Sequence, residues 1–200
     1  MLNFITALIR PENLEIILQS ITDTIKCDWR WYTVGDLKVN SSIINKIHPN
    51  QIIMYAPEKH DHYLDCGNTP RNIALDSIKD GWVYILDDDT VLHPNFFNCF
   101  TRGIKYYPGS AGYTFFCAYP DGTIRNIPPQ HSYNHIDTGC FIFRREVIGN
   151  TRFDVNNRNA ESSFYKEIYC KYSPYIIHIT DVGAYLNFLK IPQDILDFQK

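Results

Sequence analysis

Charge is scarce in this chain of 200 residues, and neither sign dominates. Lysine and arginine number 19 against 22 aspartates and glutamates, a net charge of -3. Without a basic excess there is no electrostatic footing for nucleic acid or for an anionic membrane surface. No apolar run approaches the roughly 20 residues that span a bilayer. The six cysteines, at positions 27, 66, 99, 117, 140 and 170, stand singly with no C-x-x-C pair, so neither a zinc site nor a redox motif is indicated. A chain of this length does not need disulfides, and reduced thiols in a cytoplasmic setting are expected. The apolar start, Met1 to Ile9, lacks a basic leader and reads as a strand, not a signal peptide. Asn40-Ser41-Ser42 fits the glycosylation pattern, but without a secretory signal it is read as chance. Also missing are a G-x-G-x-x-G after the first strand and a G-x-x-x-x-G-K-[ST] anywhere, the usual phosphate cradles. There is no internal repeat, low-complexity tract or linker, so residues 1–200 read as a single domain.

What the chain does have is apolar content, 44% of its residues, enough to bury a core. Its richness in Ile, Asn, Tyr and Lys is what an AT-rich genome, viral or bacterial, produces. The stretch that organises the rest is Trp82 to Thr90, in which Trp82-Val83-Tyr84-Ile85-Leu86 runs straight into Asp87-Asp88-Asp89. The apolar part reads as a buried strand, with Gly81 before it and the acids after it. Strand alternation would put Asp87 and Asp89 on one side and Asp88 on the other. Neighbouring carboxylates repel and need a cation or a shared proton. Such oxygen ligands suit a hard divalent ion, Mg2+ or Mn2+. The bland alternative is a solvated acidic turn, which would not require so apolar a strand to feed it.

Before that strand, strands and helices alternate. Asn3 to Ile9, Trp29 to Val34 and Gln51 to Tyr55 read as strands. Pro11 opens a helix with Leu14, Ile17, Leu18 and Ile21 on one face. Asn40 or Ser41 can cap a short helix carrying Ile43, Ile44 and Ile47. Thr69-Pro70 reads as a cap and first-turn proline of a helix running through Ile73, Ala74 and Ile78. The pattern implies an α/β fold with a mostly parallel sheet covered on both faces, and ligands at the carboxyl ends of its strands. Bound metal could then take over the neutralising of phosphate. The second half changes character. A helix over Phe96 to Tyr107 ends at Pro108-Gly109, and Tyr113 to Tyr119 is a strand. Asp121-Gly122 turns into Thr123 to Ile127. A loop over 125–134 follows, then strands at Cys140 to Phe143 and Tyr175 to Ile179. Helices are expected over Ala160 to Tyr172 and from Ala184 to Leu189. Residues 1–92 are expected to form a nucleotide-binding half and 93–200 an acceptor-side half.

Several motifs together resemble one family. Phe4-Ile5-Thr6-Ala7, Arg10-Pro11 and Leu14 resemble the opening of nucleotide-sugar glycosyltransferases of the GT-A fold. Arg71-Asn72-Ile73-Ala74-Leu75 is similar to their R-N-x-A-L segment, and Asp87-Asp88-Asp89 to their D-x-D motif. Ile136-Asp137-Thr138-Gly139-Cys140-Phe141 and Ala160-Glu161-Ser162-Ser163-Phe164 are similar to the D-x-x-G-F and Q-E-S segments of β-1,3-glucuronyltransferases. The pattern is also similar to small, family-2-like glycosyltransferases. Two departures stand out: Ala160 replaces the glutamine before Glu161, and His178 is followed by Ile-Thr-Asp instead of a basic stretch.

The resemblance implies a Rossmann-like GT-A sheet with D-x-D at the end of the fourth strand. It implies a metal-dependent enzyme that moves a sugar, with inversion, from a UDP-sugar or similar donor to the hydroxyl of a glycan or other acceptor. Asp89 would be the metal ligand, Asp87 would face the ribose or the metal, and Asp88 would lie beside them. Thr6, Ala7 and Arg10 would approach the nucleotide. Glu161 would be the general base, Asp137 the fallback base or a contact to sugar hydroxyls, and His178 a group near the metal and diphosphate.

From the residues themselves the plainer readings stay open. Thr6 can be an ordinary strand-end hydroxyl. Asp36 can accept from a base or ribose, or only form a turn with Gly35. Arg71 can pair with phosphate or be a surface arginine. Glu161 can simply complement its helix dipole, and His178, inside Ile176-Ile177-His178-Ile179, can be a core residue. His131, Tyr133 and His135 can line an acceptor site or be plain loop. Two rival functions fit as well. Asp87-Asp88-Asp89-Thr90-Val91 matches the D-x-D-x-[TV] of haloacid-dehalogenase phosphatases, with Asp87 as nucleophile. A non-catalytic sugar-nucleotide-binding module would keep the acids and lose the base.

Overall fold

A computed structural model describes residues 1–36, 45–57, 65–125 and 136–190, with the side chains of Asp36 and Arg125 left out. The expected helix around Ile43 and Ile44, the loop histidines His131 and His135, Tyr133 and the ligand role of the Asp36 side chain lie outside the described residues. Nine strands form a single sheet. They are β1 (Leu2–Leu8), β2 (Trp29–Asp36), β3 (Gln51–Ala56), β4 (Trp82–Ile85), β5 (Val91–Leu92), β6 (Gly112–Ala118), β7 (Ile124–Arg125), β8 (Phe141–Arg144) and β9 (Ile176–Tyr185). The order is β3-β2-β1-β4-β8-β6-β9-β5, with β7 on β6. Pairings among β1 to β4 are all parallel. The second half mixes them: β8 runs antiparallel to both β4 and β6, and β9 runs parallel to β6 but antiparallel to β5. The sheet is thus the expected mixed α/β sheet, its parallel character confined to the first half and the β6–β9 pair.

Helices cover both faces. They are α1 (Leu14–Thr24), α2 (Asn68–Ser77), α3 (Phe96–Tyr106), the one-turn α4 (Arg145–Ile148) and α5 (Ala160–Tyr172). Every residue of β1 is buried, as a central strand covered on both faces requires. Neighbours along it alternate. Phe4 joins Leu14, Ile17 and Ile21 of α1 and Phe96 and Phe100 of α3. Ile5 joins Ala74 and Leu75 of α2 and Phe164 and Ile168 of α5. The apolar face read on α1 is the face that packs, with Leu18 only partly buried.

Three expectations fail for identifiable reasons. The helix read from Ala184 is instead the end of β9, because Ala184 and Tyr185 pair with both β5 and β6. Thr69 does not cap α2; the helix starts at Asn68, and Asp65 Oδ1 accepts from the Thr69 N–H (2.7 Å) and hydroxyl (2.8 Å). Finally, β4 ends at Ile85, and the acids lie in a turn closed by the Thr90 N–H donating to the Asp87 carbonyl (3.0 Å). Strand alternation therefore does not extend to them, and each takes its own partners.

Candidate active site

The carboxyl ends of β1 and β4 open into a cavity of about 360 Å3. It is lined by Ala7 and Arg10 from the first β–α turn, Gly67 and Arg71 from the start of α2, and Asp87, Asp88 and Asp89. Asp137, Glu161 and Lys190 complete the wall. Such a volume lies within the range of small-molecule sites.

Asp88 faces the chain itself. Its Oδ2 accepts the Ile9 and Arg10 N–H groups (2.6 and 2.7 Å), and its Oδ1 accepts Arg10 Nη1 (2.5 Å). Asn13 Nδ2 donates to its carbonyl (2.8 Å). This carboxylate staples the first β–α turn to the acid turn, which is what holds Ala7 and Arg10 at the cavity wall. Burial raises its pKa despite those hydrogen bonds. Both oxygens of Asp88 are thus engaged within the chain.

Asp87 is held by two donors: Arg71 Nη2 to Oδ1 (2.7 Å) and the Thr138 hydroxyl to Oδ2 (2.6 Å). Burial would raise its pKa, but the Arg71 charge and these two bonds outweigh it and hold the carboxyl below its usual range. The partners of Asp89 are either longer-range or on an exposed side chain. Asp89 Oδ2 meets Lys190 Nζ at 2.8 Å and Arg10 Nη1 at 3.3 Å, and its Oδ1 accepts the Thr90 hydroxyl at 3.2 Å.

Arg71 is not a surface arginine: it is 5% exposed. Besides Asp87 it reaches Glu161 Oε1 (3.5 Å), and burial, which would lower its pKa, is more than offset by those carboxylates, which raise it. The adjacent Asn72 donates to the Phe153 carbonyl and accepts the Phe153 N–H, both at 2.9 Å. Asn68 Nδ2 donates to the Asp154 and Asn157 carbonyls (3.1 and 3.2 Å). One face of α2 thus clamps the segment that leads into α5 and sets Glu161, in the first turn of α5, across the cavity from the acids. The R-N-x-A-L segment accounts for itself: Arg71 orders the carboxylates, Asn72 clamps, and Ala74 and Leu75 pack in the core. Burial raises the Glu161 pKa, with Arg71 pulling the other way.

Asp137 is brought to the same wall by the turn Thr138–Cys140, which Tyr84 fixes from β4 through a bond from its hydroxyl to the Gly139 carbonyl (2.6 Å). At Gly139 the Leu186 side chain comes close: its Cδ2 would lie 2.7 Å from any added Cβ.

Two expected residues are elsewhere. The Thr6 hydroxyl donates to the Leu86 carbonyl (2.6 Å) and accepts from Trp31 Nε1 (2.9 Å), tying β1 to its two neighbours within the sheet. It is fully buried and does not line the cavity. His178 faces a separate cavity with Arg102, Tyr106 and Asp181; its Nδ1 lies 2.8 Å from the Thr114 hydroxyl and its ring against Phe116. The register of β9 on β6 puts it opposite Thr114, away from the acids.

Sequence reasoning missed Thr138, Gly67 and Lys190. Thr138 was adjacent to a named aspartate, and Gly67, at φ +84°, precedes a visible helix start. Lys190 had no local signal, because only the β9–β5 pairing brings it to Asp89.

The donor chemistry of this wall fits a hard divalent ion in one particular way. Among the described residues no group of three or more His, Cys, Asp or Glu side chains is arranged to hold a metal. Mg2+-type sites, however, commonly use one or two carboxylates and take their remaining ligands from substrate phosphates and water. Asp89, with Asp87 beside it, suits that arrangement.

No protein-family model matches the sequence, and no curated protein is similar to it. Solved structures are similar in fold. S. aureus TarS 1-349 in complex with UDP is 15% identical with a TM-score of 0.71, over 92% of this chain and 59% of that one. The same protein in complex with UDP-GlcNAc gives 0.69, at 15% identity and over 92% and 57%. Glucosyl-3-phosphoglycerate synthase from Mycobacterium tuberculosis, with Mn2+, UDP-glucose and phosphoglyceric acid, is 14% identical with a TM-score of 0.65, over 98% of this chain and 74% of that one. This chain therefore spans about three fifths of the TarS 1-349 chains it matches. At such identities the likeness shows the fold, a curled mixed α/β sheet of the GT-A kind. Among the described residues no helix is long and apolar enough to cross a membrane.

Proposed function

We propose that the protein is a metal-dependent glycosyltransferase that moves a sugar from a UDP-sugar to an acceptor hydroxyl, with inversion. The observation that carries this reading is the meeting, in one cavity at the carboxyl ends of β1 and β4, of the neighbouring carboxylates Asp87 and Asp89 with a third, Glu161, whose pKa burial raises. That UDP and UDP-sugars appear with proteins of the same fold supports it.

Asp89, assisted by Asp87, would hold Mn2+ or Mg2+. An ion there would stabilise the charge that builds on the departing diphosphate. Arg10 and Lys190 bring two further positive charges to the same rim. Glu161 takes the proton of the acceptor hydroxyl as its oxygen forms the bond to the anomeric carbon and the bond to the diphosphate breaks. Burial raises the affinity of Glu161 for that proton, as a base needs. Arg71, by binding Glu161 and Asp87 together, fixes the distance between base and leaving-group site. Asp137 is the second candidate base and, by position, a contact for sugar hydroxyls.

The test is thermal stabilisation by a panel of nucleotide sugars with and without Mn2+, followed by nucleotide release in the presence of acceptors. A metal-dependent rise in Tm with one UDP-sugar, and UDP release from it, is expected. No stabilisation by any nucleotide with Mn2+ would sink the proposal. Stabilisation without release, across an acceptor panel, would favour a binding module.

A further inference from the structure

We propose that Lys190 is the resident counter-ion of Asp89, displaced by the incoming divalent ion and taken over by the diphosphate of the donor. This rests on the nucleotide-sugar reading of the cavity. Three observations carry it. Lys190 Nζ lies 2.8 Å from Asp89 Oδ2, on a carboxylate whose side chain is only 8% exposed. The ammonium is delivered by a built turn: the Leu189 N–H donates to the Asp89 carbonyl (3.0 Å), the Lys190 N–H donates to the Asn187 carbonyl (3.1 Å), and Asn187 adopts φ +54°. Lys190 is also the only cation of the three acids, among the described residues, that is free to leave. Arg71 is buried between Asp87 and Glu161, and Arg10 is already engaged at 2.5 Å with Asp88. The Lys190 side chain is half exposed, and its other contact is Asn187 Oδ1 within its own turn (2.8 Å).

A divalent ion on Asp89 Oδ2 and an ammonium 2.8 Å from the same oxygen would repel strongly at that range. In the absence of nucleotide, metal binding must therefore displace Lys190 and leave its charge beside the ion. When a diphosphate is present, the displaced ammonium gains an anionic partner within reach of the same turn. Metal and nucleotide then strengthen each other's binding by the same factor, as linkage requires. Half-exposed ion pairs are weak, so the part of this coupling that passes through Lys190 is modest, about fivefold on each affinity.

The experiment titrates Mn2+, by loss of its free paramagnetic signal, and UDP, by calorimetry, each alone and together. The proteins are the wild type, Lys190→Gln and Lys190→Arg. Lys190→Gln is expected to tighten nucleotide-free Mn2+ binding about fivefold, weaken metal-free UDP binding about fivefold and reduce the coupling between them. Lys190→Arg is expected to keep the wild-type pattern. A merely structural lysine would weaken both ligands on removal, so the gain in Mn2+ affinity is the deciding sign. Unchanged or weaker Mn2+ binding in Lys190→Gln, with Mn2+–UDP binding intact in the wild type, overturns the counter-ion role and leaves the proposed function standing. Unchanged metal-free UDP binding overturns the diphosphate contact. Failure of the wild type to bind UDP even with Mn2+ overturns both this inference and the function.

Discussion

Replacing Arg71 by methionine removes the one cation that Asp87 and Glu161 share, while keeping most of the apolar stem. In the folded protein Arg71 is 5% exposed, and its carboxylate partners are 22% exposed at the side chain. Removing one partner of a buried pair costs about 3–5 kcal/mol, because the other charge is left without compensation. Partial exposure of both carboxylates places this case at the lower end, about 3 kcal/mol, which for a domain of this size is a fall in Tm of about 6–12 °C. The pH dependence follows from the shifts. The folded-state pKa of Asp87 lies below its unfolded value, so its pairing contributes stability above the unfolded carboxylate range and loses it as pH falls through the folded pKa. In Arg71→Met the Arg71 share of that lowering is gone, leaving the Thr138 bond and Lys190 against burial, and burial of Glu161 is no longer opposed by Arg71, so each variant carboxyl takes up a proton at a higher pH. The gap between wild type and variant is then largest near neutrality and shrinks on acidification. Urea unfolding followed by circular dichroism, near pH 7.5 and near pH 4.5, measures it. A loss under about 1 kcal/mol at neutral pH, or one equal at both pH values, would refute the claim that Arg71 neutralises these acids.

Glu161→Gln should leave Mn2+–UDP binding intact and lower kcat by about 100- to 10,000-fold; comparable turnover would remove Glu161 from the chemistry. Because burial raises the Glu161 pKa and the base works deprotonated, the wild-type rate should fall on the acid side along a limb lying above the ordinary glutamate range. Asp89→Asn, or EDTA added to the wild type, should abolish the Tm gain given by UDP with Mn2+, checked by thermal shift. Thr6→Val leaves Trp31 Nε1 and the Leu86 carbonyl without their shared hydroxyl inside the sheet. It should cost about 1–3 kcal/mol in urea unfolding with no change in donor KM, and a raised KM at unchanged stability would restore Thr6 to the nucleotide site.

The elements most legible in the sequence were those whose signal is local. The bounds expected for α5, Ala160 to Tyr172, are the observed ones, and the expected face of α1 packs as its spacing implied. The acid turn, Arg71 and Glu161 could be named because each sits at the end of a patterned element. Ala184 to Leu189 failed because a short apolar run has no period that separates strand from helix; two neighbouring strands decided it. Thr6 and His178 failed for a related reason. A polar side chain at a strand end looks the same from sequence whether it meets a ligand or, as here, a tryptophan, a carbonyl or a threonine on the neighbouring strand.

Sequence alone determined that a buried strand must end in three carboxylates at the rim of a mixed α/β sheet, since apolar length and charge order are written locally. Tertiary structure divided the labour among those carboxylates. Asp88 holds the first turn, Asp87 binds Arg71 and Thr138, and Asp89 meets a lysine 101 positions later. Three identical side chains in a row carry the same chemistry, and only the partners that folding brings to each one set its charge, its exposure and its work.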